Sequence, residues 1–413
     1  MTLKNQATPE NQATPENQAT SETRAGATRQ VTAVERAARA ALTYLVEPGD
    51  PVLGALLDGY GPAEVLEAIR GGLLPPVRSG MARKILTRAV EQWRQRLSGL
   101  PPGQDLVADA CRNGIRVLCP GDPEWPASLD ELHRAQPYAL WLRGSGDLAY
   151  GCLRSVAIVG SRAATGYGVH VTGELAADLA ERGWLIVSGG AYGIDAAAHR
   201  GALLAAGTAA LETAGTAGTI AVLACGVDQP YPAGHGSLFA SIADGGLLVS
   251  EWPPGSHPTR YRFLVRNRVI AALTKGTVVV EAGERSGALN TARHAAELGR
   301  PVMAVPGPVT SAQSAGCHRI IRDWGGSLVT STKDVLALLT PIGEAAREAL
   351  DPETARVLDA FPARAGAGTS TLARTAGTDI NTVLSCLGRL AANGFIERCA
   401  QGWRRSRNGT LGT

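Results

Sequence analysis

From residue 104 to about 307 the chain alternates short apolar runs with longer stretches whose apolar residues recur at helical spacing. The runs are VAIVG (156–160), WLIVSGG (184–190), IAVLACG (220–226), GLLVSE (246–251), GTVVVEA (276–282) and PVMAVPG (301–307). Two earlier strands are predicted at Ile115–Cys119 and Tyr138–Arg143. Helices are predicted over about 165–181, 194–206, 235–243, 260–273 and 288–298. A strand that is apolar throughout needs helices on both of its faces, and alternating strands and helices build a parallel sheet. The pattern predicts an α/β fold over 104–340, a Rossmann-like, doubly wound, mostly parallel sheet.

The flanks read differently. Residues 5–22 are three tandem hexamers with no apolar side chain larger than alanine. Such a segment cannot bury enough surface to offset its ordering entropy, so residues 1–32 are predicted to be a disordered tail. Residues 33–100 show short amphipathic helices joined by glycine turns, as in SAM or helix-hairpin-helix modules; LSGLPPG at 97–103 reads as a linker. The small-residue stretch 208–218 reads as an extended loop. Residues 345–408 read as helices followed by a hairpin, a winged-helix-like module with Thr369 or Ser370 and Asp379 as N-caps. Its last part, 361–413, holds seven arginines against two acids, a local excess that suits nucleic acid or a protein-docking wing.

Composition narrows the class. A net charge of +3 means that any basic surface is local rather than global. The seven cysteines are dispersed and contain no C-x-x-C pair, which argues for reduced cytoplasmic thiols and against a disulfide framework or a zinc site. No signal peptide and no apolar run of spanning length is found, so no membrane partner is expected.

The candidate chemistry lies at the strand ends. Gly160-Ser161-Arg162, Ser188-Gly189-Gly190, Cys225-Gly226 and Glu281-Ala282-Gly283 close four strands, and Ser286-Gly287 precedes a helix. Glycine there lets a phosphate approach backbone amides, and a helix N-terminus adds its dipole. Neither G-x-G-x-x-G nor a P-loop follows a strand, and no catalytic triad or metal motif is found, so no cofactor is expected. His199 is expected to cap or pack its helix. Cations interleave with aromatics in YRFLVRNR (261–268), a pattern that suits single-strand binding or a basic surface helix. Arg266 and Arg268 are two residues apart on a helix, so only one is expected to face a pocket. The other is expected in an ion pair or a subunit contact.

VAIVGSRAATGYG, SGGAYGIDAAAH, AVLACGVDQPYP, FLVRNRVIAAL, VVVEAGERSGALNTARHAAELGR and VMAVPG resemble, in order and spacing, the motifs of the DNA-processing protein A (Smf) family. DPEWPASLDELHRAQPYALWLRG resembles the segment that precedes them, and the likeness runs over about 105–340. The resemblance implies a non-enzymatic protein that binds single-stranded DNA, forms a homodimer and delivers the RecA recombinase in natural transformation or related recombination. It implies phosphate contacts from Arg162, Arg266 and Arg268. Ser161, Gly189, Ser286, Gly287, Asn290 and Thr291 would line the pocket, and Phe263 would stack a base. Ile321, in GCHRIIRDWGGSLV, is expected at the dimer interface. Tyr192 stands where a cation is common and could stack a base; His235 and Leu264 also depart from the pattern. The rival readings are a phosphoribohydrolase acting on nucleoside monophosphates, whose P-G-G-x-G-T-x-x-E run is missing here, and a pure protein scaffold.

Overall fold

The computed structural model describes residues 31–72, 83–101, 104–205, 218–340, 352–362, 366–392, 395–399 and 402–405. The hexapeptide tail, the loop as far as residue 217 and the first residues of the C-terminal module, 345–351, lie outside the described residues.

Four helices come first: α1 (Ala33–Leu45), α2 (Pro51–Leu57), α3 (Pro62–Gly71) and α4 (Arg83–Leu97). Thr32 and Asp50 cap α1 and α2 through their side chains, and Pro51 and Pro62 sit at helix starts, where a missing N–H costs nothing. Their apolar faces share one cluster, including Leu42, Leu45, Leu53, Val65, Ile69 and Trp93. After the short helix α5 (Leu106–Arg112) the sheet begins.

Nine strands form that sheet. β1 (Ile115–Leu118) pairs antiparallel with β2 (Leu140–Arg143), which runs antiparallel to β6 (Leu247–Ser250). From β6 the order continues through β5 (Thr219–Leu223), β4 (Leu185–Ser188), β3 (Ser155–Gly160), β7 (Thr277–Val280), β8 (Val302–Ala304) and β9 (Ser327–Leu328), all parallel. The chain thus winds outward from β3 to β6 and then returns to lay β7 on the other side of β3. Such a reversal leaves a crevice at the carboxyl ends of the strands.

The remaining helices of this domain are α6 (Leu148–Cys152), α7 (Gly166–Glu181), α8 (Ile194–Ala205), α9 (Gly236–Gly245), α10 (Arg260–Leu273), α11 (Ala288–Glu297), α12 (Ala315–Asp323) and α13 (Thr332–Leu339). Alternate strand residues serve opposite faces, as a pleat requires. Val156, Ile158, Ile186 and Val278 pack under α7 and α8, while Ala157, Val159, Val187 and Val279 pack under α10 and α11. Close approach needs glycine at one point in particular: a Cβ on Gly160 would collide with the Val280 carbonyl of the neighbouring strand. Among the described residues no helix is long and apolar enough to cross a membrane.

The C-terminal piece holds α14 (Pro352–Asp359), α15 (Thr369–Ala376), α16 (Ile380–Ala392) and the antiparallel pair β10 (Ile396–Cys399) and β11 (Gly402–Arg405). Asp379 caps α16, accepting from the Asn381 and Thr382 amides at 2.9 and 3.0 Å. Thr369 and Ser370 are not caps. Ala367 pairs with Trp403 and holds the chain extended, so Gly368 takes the N-cap position and Thr369 is already helical.

His199 packs on α8 rather than capping it. Its ring is fully buried, with Nδ1 2.8 Å from the Thr219 hydroxyl, which itself donates to the Ile186 carbonyl. Burial pushes the imidazole down to about 3, so it stays neutral in the folded chain. A depressed folded-state pKa means that the unfolded chain takes up the proton more readily. The stabilisation is complete above about 6.5 and is lost as pH falls toward 3, at about 1.4 kcal/mol per pH unit. Thermal melts at pH 7.5 and 5.0 should therefore show a smaller drop in Tm for His199→Gln than for the wild type.

Candidate functional site

The reversal between β3 and β7 opens into a cleft of about 970 Å³. Three exposed cations stand around it: Arg162 just after β3, Arg260 at the start of α10, and Arg285 in the loop after β7. Among the described residues the only carboxylate in the lining is Asp195, buried at the start of α8. Val159, Ile270 and Leu264 supply apolar wall.

The mouth of the cleft carries one continuous stacked group. The Arg162 guanidinium carbon lies 4.7 Å from the centroid of the Phe263 ring. Phe263 in turn tilts against Tyr231, with centroids 5.9 Å apart. A guanidinium over a ring is worth about 0.5–2 kcal/mol, so this stack holds Arg162 without consuming its charge. Tyr231 was not singled out from the sequence. It sits in the loop after β5, in VDQPYP, and only its exposure beside Phe263 makes it part of the site.

The helix termini behave differently from the amide-lined phosphate rim that the glycines predict. Glu281 closes the N-terminus of α7: its carboxylate accepts from the Thr165 amide at 2.8 Å and from the Thr165 hydroxyl. Glu281 holds a left-handed φ of 50° to do so, at the end of β7, and Gly168 must lack a Cβ to admit the carboxylate. Asp195 accepts from the Ala191 amide at 3.3 Å at the start of α8. Two of the junctions are therefore filled by the chain's own acids. α11 opens into the cleft with no acid in its first turn: its N-cap is Gly287, beside Ser286 and Ala288. Arg162 does not pair with Glu281, whose oxygens are taken by Thr165.

Arg266 and Arg268 of α10 part company. Arg266 forms the cleft floor, almost fully buried, and donates to the carbonyls of Gly189 (2.8 Å) and Val222 and to the Asn267 side chain (3.2 Å). Burial pushes it down to about 10, against the pull of Asp195, so it remains charged at neutral pH. Burial likewise pushes the Asp195 carboxyl up, with Arg266 and Arg162 opposing. Gly189 serves Arg266 rather than the cleft, because a Cβ there would strike the guanidinium. Arg268 does not line the cleft. It makes a two-toothed pair with Glu251 at 2.5 and 2.6 Å and donates to the Ala135 carbonyl at 3.0 Å, with both side chains buried.

Ser161, Ser286, Gly287 and Thr291 line the cleft. Asn290 stands behind it and accepts from Asn267 at 3.2 Å. Tyr192 is exposed but outside the lining, its ring 4.6 Å from that of His235, whose Nδ1 is hydrogen-bonded to the Gly190 carbonyl. Ile321 lies away from the cleft, half-buried against the sheet core, while Leu328 on the edge strand β9 is 52% exposed.

Comparison with known proteins follows the same region. The model of a family described as DNA recombination-mediator protein A matches residues 116–340. A Mycobacterium tuberculosis protein named for DNA processing, DprA, is 42% identical over 394 residues, covering 90% of this chain and 95% of its own. The X-ray structure of DNA processing protein A from Streptococcus pneumoniae aligns with a TM-score of 0.56 and 29% identity, over 75% of this chain and 99% of that one. The Helicobacter pylori DNA processing protein A, described for its single-stranded DNA binding mode, aligns with a TM-score of 0.47 and 27% identity, over 54% of this chain and 94% of its own.

Removing one partner of a buried ion pair leaves the other charge uncompensated, at about 3–5 kcal/mol. Arg268→Ala should lower Tm by many degrees, because Glu251 is left alone in the interior. Arg162→Ala removes only an exposed stack and should lower Tm by at most a few degrees. Parallel calorimetry of the two variants checks both.

Proposed function

The chain belongs to the DNA recombination-mediator protein A family, and from that premise we propose that its cleft holds single-stranded DNA through side-chain cations and an aromatic platform. The family consists of DNA-binding, DNA-processing proteins and not of enzymes. The observation that carries the reading is the Arg162 guanidinium lying on the Phe263 ring at the cleft mouth.

A single strand offers phosphates on one side and π-faces on the other. Arg162, Arg260 and Arg285 match the first, and Phe263 with Tyr231 matches the second. With Glu281 and Asp195 occupying two helix termini, phosphate recognition falls on guanidinium groups, which can grip two oxygens at once. Few groups are left to read base edges. The Asn267 amide is engaged on both sides, accepting from Arg266 and donating to Gly287 and Asn290. Binding is therefore sequence-tolerant.

Delivery of RecA onto the bound strand, in transformation or related recombination, is supported by the family's description as a recombination mediator. The edge strand β9 with exposed Leu328, together with Ile321 on α12, is the surface we assign to a homodimer.

The test is oligonucleotide binding across salt. The full chain should prefer an unstructured single strand to blunt duplex, with affinity falling steeply as salt rises. Arg162→Ala should weaken binding and reduce the salt slope by about 0.7, the value of one phosphate contact on a single strand. Arg162→Ala binding at wild-type affinity would remove the cleft from consideration. Release of free base from a nucleoside monophosphate by the wild type would favour the hydrolase reading instead.

A further inference from the structure

α10 has two working faces. Arg260, Phe263, Leu264, Asn267 and Ile270 recur at intervals of three and four and form the wall of the cleft. Arg262, Val265 and Arg268 fall on the other side, toward the N-terminal helices. There Glu47, two residues beyond α1, meets the first turn of α10. Its carboxylate accepts from Arg262 Nη2 at 2.5 Å and Nε at 3.1 Å, and from the buried Trp252 indole at 2.9 Å. Arg262 also donates to the His257 carbonyl at 2.9 Å and lies over the Trp252 ring at 5.5 Å. The backbone of Glu47 is itself held, since Tyr138 donates to its carbonyl at 3.3 Å. Farther along α10, Gly49 rests against the Arg268 guanidinium.

The consequence concerns the cleft. The first turn of α10 presents Arg260, Phe263 and Leu264, yet Tyr261 and Leu264 are largely exposed and supply little packing to hold that turn. The buried anchors Arg266 and Arg268 act farther along the helix. At the start of α10, besides the Thr259 cap, the Phe263 stack and the Arg262 bond to the His257 carbonyl, the charged side-chain grip comes from Glu47. We propose that Glu47, carried by the N-terminal helical module, is a positioning residue of the cleft: through Arg262 it holds the first turn of α10 so that Arg260 and Phe263 stay aimed at the bound strand. The inference rests on the single-strand reading of that cleft. It makes the N-terminal module part of the binding machinery rather than an appended domain.

Simple electrostatics gives the opposite sign, which makes the test sharp. Glu47→Gln removes a negative charge, so Coulomb attraction alone tightens binding to a polyanion. Positioning predicts weaker binding, by about three- to tenfold, because a two-toothed carboxylate clamp is lost while every DNA-facing cation remains. The experiment uses the full chain and a fluorescent oligothymidine, together with Tm and hydrogen exchange of amides 260–264 in the DNA-free protein. The expected result is weaker binding, an unchanged salt slope, and faster exchange confined to the first turn of α10. Arg262→Lys, which keeps the charge but loses the fork, should show the same three effects, and it carries the test if Glu47→Gln does not fold. In a Phe263→Ala background the Glu47→Gln loss should shrink, because the ring it positions is gone. Unchanged or tighter binding by both folded variants, with unchanged exchange at 260–264, overturns the proposal. If the wild type binds no single strand the DNA reading itself fails, and the exchange measurement still decides whether Glu47 holds the helix.

Discussion

Two guanidinium groups buried on one helix constrain this fold more than any other feature. Arg266 and Arg268 stand two residues apart, so their side chains leave α10 in different directions. A buried guanidinium without acceptors costs several kcal/mol, so both sides of the helix must supply oxygen. On one side the acceptors are the Gly189 and Val222 carbonyls, at the ends of β4 and β5; on the other they are Glu251, just beyond β6, and the Ala135 carbonyl. α10 therefore begins at the carboxyl ends of those strands and runs on over the sheet face, where Val269, Ile270 and Leu273 join the core. That seat places Phe263 and Arg260 at the cleft, and it brings Arg262 to the N-terminal helices.

The same helix explains why the N-terminal module is docked so closely. Besides the Glu47 clamp, Arg36 forks onto Asp122 at 2.6 and 2.7 Å and reaches the Val117 carbonyl, and the Trp141 indole donates to Thr43 at 3.2 Å. These polar contacts give orientation, while Val31 and Ala40 packed with Ile115 and Trp141 supply apolar burial. The cleft itself is governed by what the chain does with its acids. Glu281 and Asp195 place a carboxylate at the N-terminal ends of α7 and α8, which disfavours a phosphate at either. The exposed cations at the cleft are arginines, and the attraction of such charges is long-ranged and screened by salt.

Much of the fold was legible in the residues. Continuous apolar runs such as VAIVG and TVVV can only be strands covered on both sides, and their alternation with helical spacing implies a parallel sheet. Asp379 as a cap was legible because its side chain is local to the amides it accepts from. The misplaced cap at Thr369 has a non-local cause, the pairing of Ala367 with Trp403. Arg162 was legible as a cation at a strand end and Phe263 as an aromatic among the arginines of a helix, but their stacking joins a loop to a helix far away in the sequence. Tyr231 lay inside the AVLACGVDQPYP motif without being singled out, and its part in the site became visible only through its neighbour Phe263.

The sequence by itself determined the kinds of element, their order, and which residues could bear charge at the strand ends, because those depend on local periodicity and side-chain chemistry. Only the tertiary structure decided how the charges were spent. Helical spacing separates Arg266 from Arg268 but does not say which one meets Glu251; the seat of α10 on the sheet does. Glycine at a strand end permits an amide site for phosphate, but whether the site is open depends on Glu281, more than a hundred residues from Thr165. Glu47 shows no motif at all, and its partner Arg262 lies 215 positions away. Pairing between such distant groups is set by packing and not by local sequence.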